Sequence, residues 1–328
     1  MAEPLPAPRA TFDCLWCGRS WTTRSADDLE GWAKLCPDCL GKAGENAFLR
    51  FRLRDALAAR SAASHRADET AAAEPSDTPE PIVGTEPVPA SPRDADAGAE
   101  MVADAAAEMV AYYQARAGEY DDWYLRRGRY ARGPIHDAAW NAELDAAGRW
   151  LDDRPIAGEI VELAAGTGWW SPLLASKGEL WLYDAAEAPL ERARDRLLAH
   201  GLRAHIHIRD AWAEPDRAVD AVVLGFWLSH VERDRTAAFL ALARRWLKPG
   251  GNLAIIDSLP DPQSGAADHD PVVGDRATRR LEDGREFRIV KVYYAPDELA
   301  AALAEAGFED IEVTTTGRFF LLASARAA

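Results

Sequence analysis

No apolar run in this chain approaches the length needed to cross a bilayer, and it opens Met1-Ala-Glu-Pro without a basic, apolar targeting stretch. Both absences point to the cytoplasm and argue against a membrane role. Positive charge is scarce as well: 38 Lys and Arg stand against 54 Asp and Glu, a formal net charge of −16. That balance argues against whole-molecule attraction to nucleic acid or anionic membrane, while leaving room for a local basic patch. Cysteine is nearly missing. Its four copies are Cys14, Cys17, Cys36 and Cys39, and nothing in the sequence marks an oxidising compartment in which they would form disulfides.

Their spacing fits a metal instead. Cys14-x-x-Cys17 and Cys36-x-x-Cys39 are two matching pairs separated by eighteen residues, as expected for a tetrahedral zinc site of four thiolates. Gly18 supplies the freedom one such knuckle needs to fold back on its ligand. Residues 1–58 therefore read as a zinc-ribbon-like module, too small to fold on apolar burial alone, with Trp16, Trp21 and Trp32 as its miniature core. The following Phe48-Leu-Arg-Phe-Arg-Leu-Arg54 mixes aromatics with arginines. It reads either as a solvated amphipathic segment or as a contact for RNA phosphates or an acidic protein surface. Residues 59–98 turn to Ala, Pro, Ser, Asp and Glu, and such a composition predicts a disordered acidic linker.

The remaining residues, 99–328, carry alternating strand and helix signals. The strand signal Ile160-Val-Glu-Leu breaks into Ala-Ala-Gly-Thr-Gly-Trp-Trp-Ser171, a turn of small residues that lets backbone approach a bulky ligand at a helix start. The dinucleotide fingerprint would place a third glycine where Ser171 stands. Leu180-Trp-Leu-Tyr-Asp184 is a second strand ending in an acid at the spacing used to hold ribose hydroxyls. A third strand, 204–208, precedes Asp210-Ala211-Trp212. A fourth, in the run from Asp220 to His230, is apolar enough to be covered on both faces, and Leu247-Lys-Pro-Gly-Gly251 turns into a fifth.

In that order these landmarks resemble a class I S-adenosylmethionine-dependent methyltransferase, together with Leu190-x-x-Ala193-Arg194, Val219-Asp220-x-Val222 and a closing strand pair at 311–315 and 319–324. The resemblance implies an α/β fold: a Rossmann-like, doubly wound, mostly parallel sheet with an antiparallel closing strand, beside the small N-terminal zinc-binding module. It also implies cofactor contacts. Glu162, Ala164, Gly166 and Gly168 would flank the methionine part, Asp184 and Ala185 the ribose, Asp210, Ala211 and Trp212 the adenine, with Gly225 at the end of the fourth strand. Ala164 stands where the family commonly has its first glycine.

Methyl transfer to an oxygen or nitrogen that starts protonated needs a base near the C-terminal strand ends. His230 is the candidate catalytic base, with Asp257 a weaker alternative. Tyr120, Trp123, Tyr124 and Tyr130 precede the first strand and are candidates for an acceptor wall, and the polar stretch 258–285 for acceptor choice. His205 and His207 lie two apart without a third ligand and read as surface-facing. The chain lacks the Asn-Pro-Pro-Tyr type of motif of amino-directed DNA and glutamine methyltransferases. The expected reaction is methylation of a small molecule. The alternatives are an RNA acceptor, since some ribosomal RNA methyltransferases join a zinc module to this fold, or a non-enzymatic cofactor-binding protein that docks through the cysteines.

Overall fold

The computed structural model describes residues 11–13, 19–22 and 106–328. The chain divides into two units, Met1–Pro89 and Ala90–Ala328. In the first, β1 (Thr11–Asp13) pairs antiparallel with β2 (Ser20–Thr22), Phe12 opposite Trp21. The four cysteines, the Phe48–Arg54 segment and the stretch 59–98 lie outside the described residues, so the zinc module and the linker are not addressed by the fold.

The second unit is built on a seven-stranded sheet in the order β10-β11-β7-β6-β3-β4-β5. These strands are β3 (Gly158–Leu163), β4 (Gly178–Asp184), β5 (His205–Ile208), β6 (Val219–Gly225), β7 (Leu247–Ser258), β10 (Phe308–Thr315) and β11 (Phe320–Ala327). From β3 the chain winds outward through β4 to β5, then returns to the other side of β3 for β6 and β7, all in parallel pairs. β11 closes antiparallel against β7 and β10. A sheet wound in two directions from β3 leaves a crevice at the carboxyl ends of β3 and β6, where the order reverses.

Both faces of the sheet are covered, which is why its inner strands are near-continuous apolar runs. On one face, α6 (Thr236–Arg245) and α7 (Pro296–Glu305) set Phe239, Leu240, Leu299 and Leu303 against Val161, Leu163, Val222 and Leu224. On the other, Trp140 of α3 (Pro134–Asp152) packs edge-on against Phe320 at 4.8 Å. Helix α3 begins at Pro134, because proline at the first helical position costs no hydrogen bond.

A cap covers the crevice. It consists of the helix α1 (106–116), α2 (Tyr120–Leu125), a 3-10 turn (Gly128–Tyr130) and the hairpin β8 (Arg276–Arg280) with β9 (Glu286–Val290). Met109 and Tyr112 of α1 bury against Ala277, Leu281 and Ile289 of the hairpin. The cap arginines pin the loop between β7 and β8. Arg126 donates to the carbonyls of Gln263 and Ser264 at 2.7 and 2.9 Å, and Arg132 to that of Gly265 at 2.8 Å. The two stretches read separately in the sequence, 119–130 and 258–285, thus fold into one lid. Among the described residues no helix is long and apolar enough to cross a membrane.

Candidate active site

Beneath the lid, at the carboxyl ends of β3 to β6, lies a cavity of about 300 Å³, within the range of small-molecule sites. Ala164, Gly166, Asp184, Ala185, Asp210, Ala211, Trp212, Gly225 and His230 all line it. Asp184, at the end of β4, organises the entrance: Oδ2 accepts the Gly166 N–H at 2.9 Å and Oδ1 accepts that of Ala186 at 2.8 Å. Burial pushes its carboxyl up to about 6, against the lowering effect of those two N–H groups and with the charge of Asp210 adding to the rise. Asp210 in turn accepts the Trp212 N–H at 2.8 Å, and Arg235 covers one face of the Trp212 indole at 4.0 Å.

The small residues of the turn serve different ends. Gly166 has φ +56°, and no atom lies within 4 Å of where a Cβ would project, so its backbone borders open space in the cavity. Gly168 has φ +71°, and a Cβ there would come within 2.7 Å of the Ala193 side chain. It lets the helix α5 (Glu187–Ala199) sit against the turn that leads into the short helix α4 (Ser171–Ala175), and does not line the cavity. Ala164 carries φ +51°, the left-handed conformation glycine takes without strain. Replacing it is therefore informative: Ala164→Gly should stabilise the fold by about 0.5–1 kcal/mol once the entropy of glycine is subtracted. A thermal melt should move up by about 2 °C; an unchanged or lower midpoint contradicts the strain.

Glu162 does not reach the cavity either. It is 2% exposed under the turn and accepts a hydrogen bond from Ser171 Oγ at 2.5 Å. Burial raises its carboxyl to about 8, opposed by Ser171 and Arg196. The folded chain therefore keeps this proton up to about pH 8, whereas an unfolded glutamate releases it near pH 4.3. Between those values the folded state binds more protons, so stability falls as pH rises. Glu162→Gln, neutral at every pH, should flatten that decline, giving a smaller drop in melting temperature from pH 5 to pH 8 than the parent shows.

His230 ends a 3-10 turn after β6, Leu228–His230, and borders the cavity from the lid side. Its Nδ1 lies 2.7 Å from the Val290 carbonyl, which can only accept, so Nδ1 carries the hydrogen. Nε2 is then free to accept the hydroxyl of Tyr113, 2.7 Å away. Burial, together with Lys291, Arg279 and Arg116, holds the imidazole well below the usual histidine range, so it is neutral. Asp257, the weaker candidate base, is 1% exposed and accepts the N–H groups of Ser229 and Ser258; it lines no part of the site.

Beyond His230 a smaller chamber of about 80 Å³ opens under the lid. Tyr113, Tyr120, Phe226 and His230 border both spaces. Trp123 and Tyr130 line the chamber as expected of an aromatic wall. Tyr124 does not. It stacks on Trp169 at 4.1 Å, 2% exposed, and belongs to the packing of the cap on the sheet. His205 and His207 stack on Trp181 and Tyr183, away from the cavity. Tyr113, Arg116, Arg279 and Lys291 line the chamber and were not singled out from the sequence. For the first two a signal existed: Met109, Tyr112, Tyr113 and Arg116 fall on one face of a helix at spacings of three and four.

A parallel sheet with an acid at the end of β4, a second after β5 and an open small-residue turn after β3 thus frames one cavity. The chain belongs to the class I S-adenosylmethionine-dependent methyltransferases, and it is an enzyme of that kind. A methyltransferase domain family matches residues 160–251. Over 171 residues the chain is 31% identical to the ubiquinone/menaquinone biosynthesis C-methyltransferase UbiE of Coxiella burnetii (strain Dugway 5J108-111), covering 47% of this chain and 67% of that enzyme. The Shewanella oneidensis UbiE is 29% identical over 174 residues, 48% of this chain and 68% of its own length. Among solved structures, DhpI in its SAH complex superposes with a TM-score of 0.53 at 31% identity, covering 67% of this chain and 96% of DhpI. The DhpI–SAM–HEP complex gives 0.54 at 31% identity, covering 68% and 97%.

Proposed function

We propose that this enzyme methylates a small molecule seated in the 80 Å³ chamber. The chamber itself carries the reading: it adjoins the cofactor cavity through Tyr113, Tyr120, Phe226 and His230, and it has room for roughly half a dozen water-sized groups. Its walls are mostly interior residues, Tyr112 and Tyr130 at 1% exposure among them, where a nucleic acid or folded protein has no entry for its backbone. The UbiE relatives are named for C-methylation in quinone biosynthesis, and a DhpI complex holds HEP beside SAM.

Bound S-adenosylmethionine supplies an electrophilic methyl group and leaves as a neutral thioether, taking the electron pair of the broken carbon–sulfur bond. Asp184, Asp210 and the Gly166 backbone, which line the 300 Å³ cavity, would hold it there. Tyr120 and Phe226 position the acceptor and keep water from the line of attack. The acceptor proton passes to the Tyr113 oxygen as the Tyr113 proton moves to His230 Nε2, along the 2.7 Å hydrogen bond already in place. Val290 holds the imidazole in the tautomer that receives it.

Incubating the full chain with radiolabelled S-adenosylmethionine and a cell extract, then separating small molecules, RNA and protein, tests the acceptor class. Label in the small-molecule fraction is expected; label confined to RNA or protein contradicts the reading. The N-terminal cysteines are proposed to hold one structural zinc through Cys14, Cys17, Cys36 and Cys39. Metal analysis of purified protein should find one zinc per chain, lost in Cys14→Ser, and a zinc-free parent protein contradicts it.

A further inference from the structure

The chamber walls hold a charge pattern that methyl transfer alone does not require. Arg116, Arg279 and Lys291 all line it, and among the described residues no aspartate or glutamate does. Arg116 is 8% exposed, surrounded by the rings of Tyr112, Tyr120 and Tyr130; it donates to Tyr130 Oη at 3.3 Å, and among the described residues its Nε has no partner. Arg279 donates to the carbonyl of its neighbour Thr278 at 3.1 Å. Neither arginine forms an ion pair among the described residues, whereas Arg129, Arg154, Arg196, Arg233, Arg245 and Arg318 each do.

Lys291, 8% exposed, donates to Ser229 Oγ at 2.8 Å and Ser258 Oγ at 3.3 Å. The Asp257 carboxylate stands 3.8 Å from its Nζ, already accepting two backbone N–H groups. Glu119, which also feels the charge of Arg116, accepts the Glu282 N–H and lies outside the chamber lining. Gathering three cations on one interior wall is costly unless an anion answers them. In a chain with sixteen more acids than bases, acids to answer them were not scarce.

We propose that this wall is an oxyanion subsite: the acceptor is a small acid whose carboxylate, phosphonate or phosphate group is held between Arg116, Arg279 and Lys291. The inference rests on the small-molecule reading above. Guanidinium forks match the paired oxygens of such groups, and lysine adds a point charge. The three cations line the chamber and not the cofactor cavity, whereas Tyr113, Tyr120, Phe226 and His230 border both. The anion is therefore a handle at the far end, and the atom that receives the methyl group lies at the shared wall beside Tyr113. The product keeps its acid group. Burial first, and the same three cations after it, depress the basicity of His230, so an anion between them relieves only the cations' part.

The full chain saturated with S-adenosylhomocysteine can be titrated calorimetrically with inorganic phosphate, methylphosphonate and acetate, with acetamide as the neutral match to acetate. Saturable binding of at least one anion in the millimolar range, without binding of acetamide, is expected. The ranking of acetate against the phosphorus oxyanions then identifies which kind of acid the wall fits. Arg279→Gln, at a half-buried position on β8, should weaken that anion about tenfold or more while S-adenosylhomocysteine affinity stays within about twofold. Lys291→Met provides a second reading should Arg279→Gln fail to fold. Anions that bind no better than acetamide, or whose affinity neither variant changes, overturn the subsite. If S-adenosylhomocysteine binds and the anions do not, only this inference fails; label found solely in RNA or protein in the extract experiment removes the small-molecule reading beneath it.

Discussion

Asp184→Ala should lower the affinity for S-adenosylhomocysteine about a hundredfold or more, while leaving a folded protein. Two losses combine. The carboxylate that would receive ribose hydroxyls disappears, and hydrogen bonds to a charged group are worth about 1.5–3 kcal/mol each. The Gly166 N–H, now fixed by Oδ2 at 2.9 Å, also loses its anchor, so the turn no longer keeps its open shape. The same residue sets a pH limit on the parent enzyme. Its carboxyl titrates at about 6 because of burial, and only the ionised form accepts both hydroxyls. Affinity should be level above pH 7 and fall progressively below pH 6, up to about tenfold per unit if ionisation is essential. Calorimetric titrations of the parent at pH 5, 6, 7 and 8, with Asp184→Ala at pH 7.5, check both statements. Parent-like affinity in the variant contradicts the role given to Asp184.

The second large effect belongs to the Tyr113–His230 pair. Tyr113→Phe and His230→Asn should each reduce kcat by about a hundredfold to a thousandfold, the usual range for losing a positioned proton acceptor. The double variant should be little worse than either single one, because the two residues act on one proton. S-adenosylhomocysteine affinity should stay within a few-fold, since the groups that hold the adenosyl part are untouched. With His230 neutral and its pKa held well below 6.5, the parent rate should be level from pH 6.5 to pH 8 as far as this group is concerned. An acceptor whose reacting atom is already an anion needs no base. Near-parent kcat in Tyr113→Phe would therefore transfer the proposal from a proton-relaying site to one that acts by positioning alone.

Sequence alone revealed the sheet and the cofactor crevice because their chemistry is local. A parallel strand covered on both faces has to be apolar throughout, and the turn at its end has to be small; Ile160–Ser171 and Leu180–Asp184 show both. Spacing did not reveal direction. Glu162 and Ala164 lie two residues apart beside the same turn, yet Glu162 points into the protein and Ala164 borders the cavity, since the strand alternation breaks at the left-handed Ala164. Gly168 likewise carries a mark of ligand approach but uses it for helix packing. The chamber beyond His230 was the least legible part. Arg116, His230, Arg279 and Lys291 come from α1, the 3-10 turn after β6, β8 and the segment after β9, and they meet only when the hairpin folds against α1. In the aromatic segment 119–130 the sequence could not separate Tyr124, stacked in the core, from Trp123 and Tyr130, which line the chamber.

Calorimetry of the full chain with S-adenosylhomocysteine and, separately, with NAD addresses the crevice at the β3–β6 reversal most directly. One S-adenosylhomocysteine per chain, bound in a manner that Asp184→Ala weakens, is the expected result. Binding of NAD without S-adenosylhomocysteine, or equal S-adenosylhomocysteine affinity with and without Asp184, contradicts the assignment of this cavity to the methyl donor.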